Sequence, residues 1–98
     1  MDAPKGRELP SLERAAEVFS LLSAASRLRM LCALCEREMC VGELATAVEM
    51  PQPTVSQQLA LMFRAGLVSR RRERSQVHYS VDPRTRDFLC EAVQALVV

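Results

Sequence analysis

The sequence predicts a mainly α domain with a small β-hairpin: four helices, two strands and a fifth helix. Three observations support this. From Val41 to Val81 the chain reads as a short helix, a tight turn, a second helix and an arginine-loaded hairpin. Pro51, Pro53 and Gly66 punctuate that stretch where a helix-turn-helix needs a break, an N-terminal first turn and a C-terminal stop. Val77, Tyr79 and Val81 then alternate at the strand period, with His78 and Ser80 pointing the other way. In this order the parts make a winged helix-turn-helix, which lays one helix in the major groove with a basic wing beside it.

Ninety-eight residues suit one domain over residues 1–98, and a chain this short gains from sharing burial in a dimer. Residues Met1 to Pro10 hold two prolines, a glycine and several charges, and are expected to form a flexible arm. Ser11 is the expected cap of the first helix, whose apolar positions Leu12, Ala15, Ala16, Phe19, Leu22 and Ala24 follow a helical period. Ser26 is the expected cap of the second, with Leu28, Leu31, Leu34 and Cys35 on one face and an end near Arg37. The third spans Val41 to Val48, and the fourth Gln52 to Ala65, with Val55, Leu59 and Met62 facing the core. The hairpin tip at Glu73-Arg74-Ser75 lacks Asn-Gly or Asp-Gly, so a longer or looser wing is expected. Asp82-Pro83 opens the last helix, Arg84 to Val98.

Aromatic residues make up 4% of the chain and Trp is absent, so the core must be aliphatic, with Met and Cys as fillers. The net charge is only +1, but Arg64, Arg70, Arg71, Arg72 and Arg74 against Glu73 give a local +4, leaving −3 elsewhere. A basic stripe on a mildly acidic body fits a site-selective DNA binder. The N-terminus has no apolar signal core and no run approaches a membrane span, so a cytoplasmic protein with reduced cysteines is expected.

The segments SAASRLRMLCAL, VGEL, QPTVSQQLALMFRAGLVSRR and VHYSV resemble the ArsR/SmtB family of bacterial winged-helix repressors, over about residues 12 to 98. The resemblance implies a homodimer built on its first and last helices. It also implies release of operator DNA when an inducer binds or oxidises ligand residues. The operator would be an imperfect inverted repeat in double-stranded DNA, with half-sites about one helical turn apart. The recognition helix falls on Gln52 to Ala65, where Gln52, Thr54, Ser56, Gln57 and Gln58 suit base edges or phosphates. Arg70, Arg71, Arg72 and Arg74 would serve the wing, although strand alternation lets only about half face DNA together. Phe63 departs from the family pattern, which is polar there; packing on a neighbour and contact with a partner both stay open.

Inducer chemistry centres on Cys32, Cys35, Cys40 and Cys90. Zinc-sensing relatives use His and carboxylates on the last helix, which here has no His, and the only His, His78, lies on the wing. No metal site or cofactor is expected from that pattern. Arsenic- and cadmium-sensing relatives carry CVC at the third helix, and Cys40 supplies only the first thiol. Cys32 and Cys35 could still share a soft ion with Cys40 or Cys90. The persulfide- and oxidant-sensing branch pairs a cysteine on helix two, matched by Cys32, with one that falls on Val98 and is missing. Cys32–Cys90, an intersubunit disulfide, and four inert packing thiols all stay open.

A thiol-disulfide enzyme is disfavoured, because Cys32-Ala-Leu-Cys35 lies inside a helix and not at a helix N-terminus after a strand. One His offers no nucleophile–base–acid arrangement, so no enzyme is expected. A dimerisation module without DNA is the remaining rival, and the wing arginines argue against it.

Overall fold

The computed structural model describes residues 9–97, with side chains described from residue 12. Its elements are α1 (Leu9–Leu22), α2 (Ala25–Glu36), β1 (Met39–Cys40), α3 (Val41–Val48), α4 (Gln52–Arg64), β2 (Ser69–Glu73), β3 (Gln76–Ser80) and α5 (Pro83–Val97). The order is that of a winged helix-turn-helix, as expected, with one strand added. β1 joins the hairpin, giving an antiparallel sheet ordered β1-β3-β2.

Three local expectations are corrected. α1 begins at Leu9, so Ser11 lies inside the helix and Pro10 sits in its first turn, where a missing N–H costs nothing. Leu9 and Pro10 of the expected arm are therefore helical, and residues 1–8 lie outside the described part. α2 starts after Ala24, which makes no side-chain cap, so Ser26 is helical. The wing tip is tight: Glu73 pairs with Gln76, leaving a two-residue turn of Arg74 and Ser75. Arg74 makes this possible by adopting φ 60°, a left-handed conformation usually left to Gly or Asn.

The other ends follow their sequence signals. α3 stops at Glu49, whose φ of 58° lets the Met50 N–H reach the Ala45 carbonyl at 3.1 Å. α4 stops at Gly66 (φ 82°), and the Leu67 N–H closes on the Met62 carbonyl at 2.9 Å. The Asp82 carboxylate accepts the Thr85 N–H at 2.8 Å and caps α5. This bond holds the Asp82 carboxyl below its ordinary pKa.

The core is aliphatic. Met30, Leu31, Leu44, Val55, Leu59 and Met62 are fully buried, and among the described residues no polar or charged side chain is. Met39 and Val81 join from the sheet side. α1 and α5 each leave an apolar face in solvent: Leu12 and Phe19 (60% exposed) on one, Phe88, Val93, Leu96 (84%) and Val97 on the other. Among the described residues no single helix is long and apolar enough to cross a membrane.

Candidate nucleic-acid interface

α4 is held by one face. Val55, Leu59 and Met62 recur at helical spacing and are buried, which fixes the helix roll and turns the remaining face outward. Gln52, Ser56 and Gln57 are exposed on it, while Thr54 and Gln58 are half-buried. The Gln52 amide reaches back over Gly42 of α3. Gln58 is already engaged: its side-chain oxygen accepts a hydrogen bond from Arg27 Nε of α2. Arg27 also donates to the Leu21 carbonyl at the end of α1, at 3.5 Å. The recognition helix is thus tied to the α1–α2 corner as well as to the core.

The wing arginines divide by strand alternation. Arg70 lies opposite Tyr79 and Arg72 opposite Val77, the face shared with buried Met39; Arg71 lies opposite His78, the face shared with Cys40. The Arg70 guanidinium sits 3.8 Å from the ring centroid of Phe63 on α4. This cation–π stack gives Phe63 its intrachain neighbour.

Arg71 is held differently. Its Nη2 and Nε donate to the two oxygens of Glu38 at 2.7 and 2.8 Å, and its Nη1 donates to Glu73 at 3.1 Å. The hydrogen bond from Arg71 lowers the Glu38 pKa, and the two carboxylates raise that of Arg71. His78 Nε2 lies 3.9 Å from the same Glu73 carboxylate. Arg72 and Arg74 are exposed.

All four cysteines are free thiols, and they fall into two places. Cys32 and Cys35 of α2 and Cys90 of α5 line one groove, with Glu36 and Arg86 at its edge. Burial, then the neighbouring thiols, push the Cys32 and Cys35 pKa values up, which favours the protonated forms. Cys40 stands apart at the start of α3, where its backbone N–H donates to Glu43 at 3.0 Å. That bond, first among several causes, lowers the Glu43 pKa. Among the described residues no three His, Cys, Asp or Glu side chains are disposed to hold a metal ion. The alignment position at Val98 lies outside the described residues.

Sequence reading missed Glu38, Arg27 and Glu43. Only Glu43 carries a local signal, three residues after the position that caps α3. The partners of Glu38 and Arg27 lie 33 and 31 residues away.

A buried-face recognition helix, a short preceding helix across a tight turn, and a basic two-stranded wing define a winged helix-turn-helix DNA-binding domain. Residues 25–70 match the family described as "Bacterial regulatory protein, arsR family". The chain is 40% identical over 92 residues to the biofilm growth-associated repressor of Agrobacterium fabrum, covering 90% of this chain and 79% of that one. It is 41% identical over 78 residues to the HTH-type transcriptional regulator KmtR of Mycobacterium tuberculosis, covering 79% of this chain and 60% of that one. The chain therefore spans about three fifths of the latter's length. Among solved structures it is similar to the homodimeric winged helix-turn-helix DNA-binding domain of Mb0332 from Mycobacterium bovis, a possible ArsR-family regulator. There the TM-score is 0.86 at 29% identity, covering 98% of this chain and 89% of that one. The protein belongs to the arsR family. It is an ArsR/SmtB-type transcriptional regulator and not an enzyme.

Proposed function

We propose that the protein is a cytoplasmic, homodimeric repressor that holds an inverted-repeat operator and releases it when its α2–α5 thiols react. The observation that carries this reading is the exposed polar face of α4 lying beside a wing with four arginines. Gln52, Thr54, Ser56, Gln57 and Gln58 would serve base edges and nearby phosphates. Arg70, Arg71, Arg72 and Arg74 would supply the wing's positive charge. The bare apolar faces of α1 and α5 support a dimer through those helices, since a second copy would cover Phe19, Phe88 and Leu96.

Release would begin in the groove that gathers Cys32, Cys35 and Cys90. Forming a disulfide between Cys90 of α5 and Cys32 or Cys35 of α2 gives two protons and two electrons to an oxidant or reactive sulfur species. It would also draw α5, and with it the dimer face, against α2. Cys40, on the sheet, contributes least in this reading. The test is fluorescence anisotropy on DNA from the protein's own promoter, before and after mild thiol oxidation. Loss of binding on oxidation, abolished by replacing Cys32, Cys35 and Cys90 with Ser, supports the reading. An unchanged oxidation response in that variant contradicts it.

One observation favours a second reading, a repressor with inert cysteines and another inducer. Burial raises the Cys32 and Cys35 pKa values, and a thiol kept protonated is a poor nucleophile and metal ligand. Oxidant-insensitive binding in the wild type would select it. A soft-metal sensor is the weaker form of the thiol reading, because the three thiols of the groove are not disposed to hold a metal ion.

A further inference from the structure

The four wing arginines are not equivalent. Of the three arginines on β2, Arg71 alone is on the sheet face opposite the one stacked against α4, because Arg70, its strand neighbour, lies over Phe63. On that far face it meets Glu38, the residue immediately before β1, in a two-pronged carboxylate contact, and Glu73 of its own strand. The sheet order β1-β3-β2 puts β3 between the partners, so the ion pair spans the middle strand and joins the two outer ones. Two carboxylates on one guanidinium leave no surplus positive charge there. A phosphate would have to displace a two-pronged carboxylate contact and a third charge-assisted hydrogen bond that Arg71 already makes.

We propose that Arg71 is a positioning residue that braces the wing to β1, and that Glu38 withholds it from phosphate contact. Arg70, Arg72 and Arg74 then carry the wing's share of DNA charge. This rests on the DNA-binding reading above, which assigned all four to DNA alike. The brace has a mechanical role: β1 has only two residues, and its ladder to β3 covers only Met39 and Cys40. Such a short strand gives the hairpin little purchase on the body. Beside that ladder and the Arg70–Phe63 stack, a cross-sheet ion pair adds a third attachment that holds the hairpin to the body.

Two measurements test the brace, one without DNA. Amide hydrogen exchange across Ser69–Ser80 is compared in wild type, R71Q, E38Q and R72Q. Faster exchange in R71Q and E38Q, but not in R72Q, is expected; unchanged exchange in both overturns the brace. The second is the salt dependence of binding to promoter DNA. R71Q is expected to weaken binding about two- to fivefold on any sequence, the size of an exposed ion pair, with the wild-type salt slope. R72Q should lower the slope by about one phosphate contact, and E38Q should steepen it by releasing Arg71. A slope reduced by about one in R71Q, with none gained in E38Q, overturns the proposal. Wild-type protein that fails to bind promoter DNA would refute the functional reading, while the exchange data still decide the brace.

Discussion

The Arg70 guanidinium lies 3.8 Å over the Phe63 ring, joining the wing's first strand to the last turn of the recognition helix. Two elements proposed to meet DNA together are therefore coupled by one side-chain stack. A ring platform also reduces the freedom that a long arginine would otherwise lose on binding.

Replacing Phe63 with Leu keeps apolar volume and removes the ring. Cation–π stacks at exposed sites are worth about 0.5–1 kcal/mol, so DNA affinity is expected to fall about two- to fivefold. The loss should be the same for all sequences, and the salt slope unchanged, because no charge is removed. A neutral Phe63→Leu beside a weakened Arg70→Ala, both read by anisotropy, would show that the stack does not position Arg70.

Glu49 and Arg74 hold left-handed backbone at φ 58° and 60°. Glycine relieves a strain of about 1–2 kcal/mol but gains freedom in the unfolded chain, leaving a net gain of up to about 1 kcal/mol. Glu49→Gly is expected to raise the urea midpoint. Arg74→Gly should do so as well while weakening DNA binding, since it removes a wing cation. A lowered midpoint in both would mean that the native side chains contribute more than the backbone conformation costs.

Leu59 is fully buried between Val55 and Met62 on the inner face of α4. Truncation to Ala should cost about 2–5 kcal/mol, the usual range for a buried leucine. Denaturation must be followed at fixed protein concentration, because the apparent stability of the proposed dimer depends on it. A loss well under 1 kcal/mol would place α4 outside the cooperative core.

Glu43 and Asp82 each accept a backbone N–H at a helix start, and both carboxyls titrate below their ordinary values. A depressed folded-state pKa stabilises above the unfolded-state value and loses that contribution as pH falls through the folded one. Stability should therefore decline from about pH 5 downward. In a Glu43→Gln, Asp82→Asn double variant the decline between pH 5 and pH 3 should be shallower, measured by urea midpoints. Parallel profiles would mean that other carboxylates dominate acid unfolding.

What could be read in the sequence was local. α4 announced itself through Pro53, the Val55-Leu59-Met62 period and Gly66, and each serves the expected purpose. α3 fell at Val41–Val48 as expected. The two-residue β1 is too short to carry any period, and Arg74 gave no hint that it would take the place of a turn glycine. Ser11 was a reasonable cap, but the tolerance of a first turn for Pro10 moved the start of α1 upstream. The ties of Gln58 to Arg27 and Arg71 to Glu38 depend on tertiary approach, as does the meeting of Cys32 and Cys35 with Cys90. Sequence named Gln58, Arg71 and the cysteines, with Cys32–Cys90 one of several open pairings, but gave no sign of Arg27 or Glu38.

The outward face of α4 is proposed to read DNA. Fluorescence anisotropy at fixed salt, on the protein's own promoter and on a scrambled duplex of equal length, tests it most directly with wild type and Gln57→Ala. Wild type should prefer its promoter by a factor on the order of 10³ or more, and Gln57→Ala should shrink that preference with little change on scrambled DNA. Equal affinity of the wild type for both duplexes, or a preference untouched by Gln57→Ala, would contradict the account.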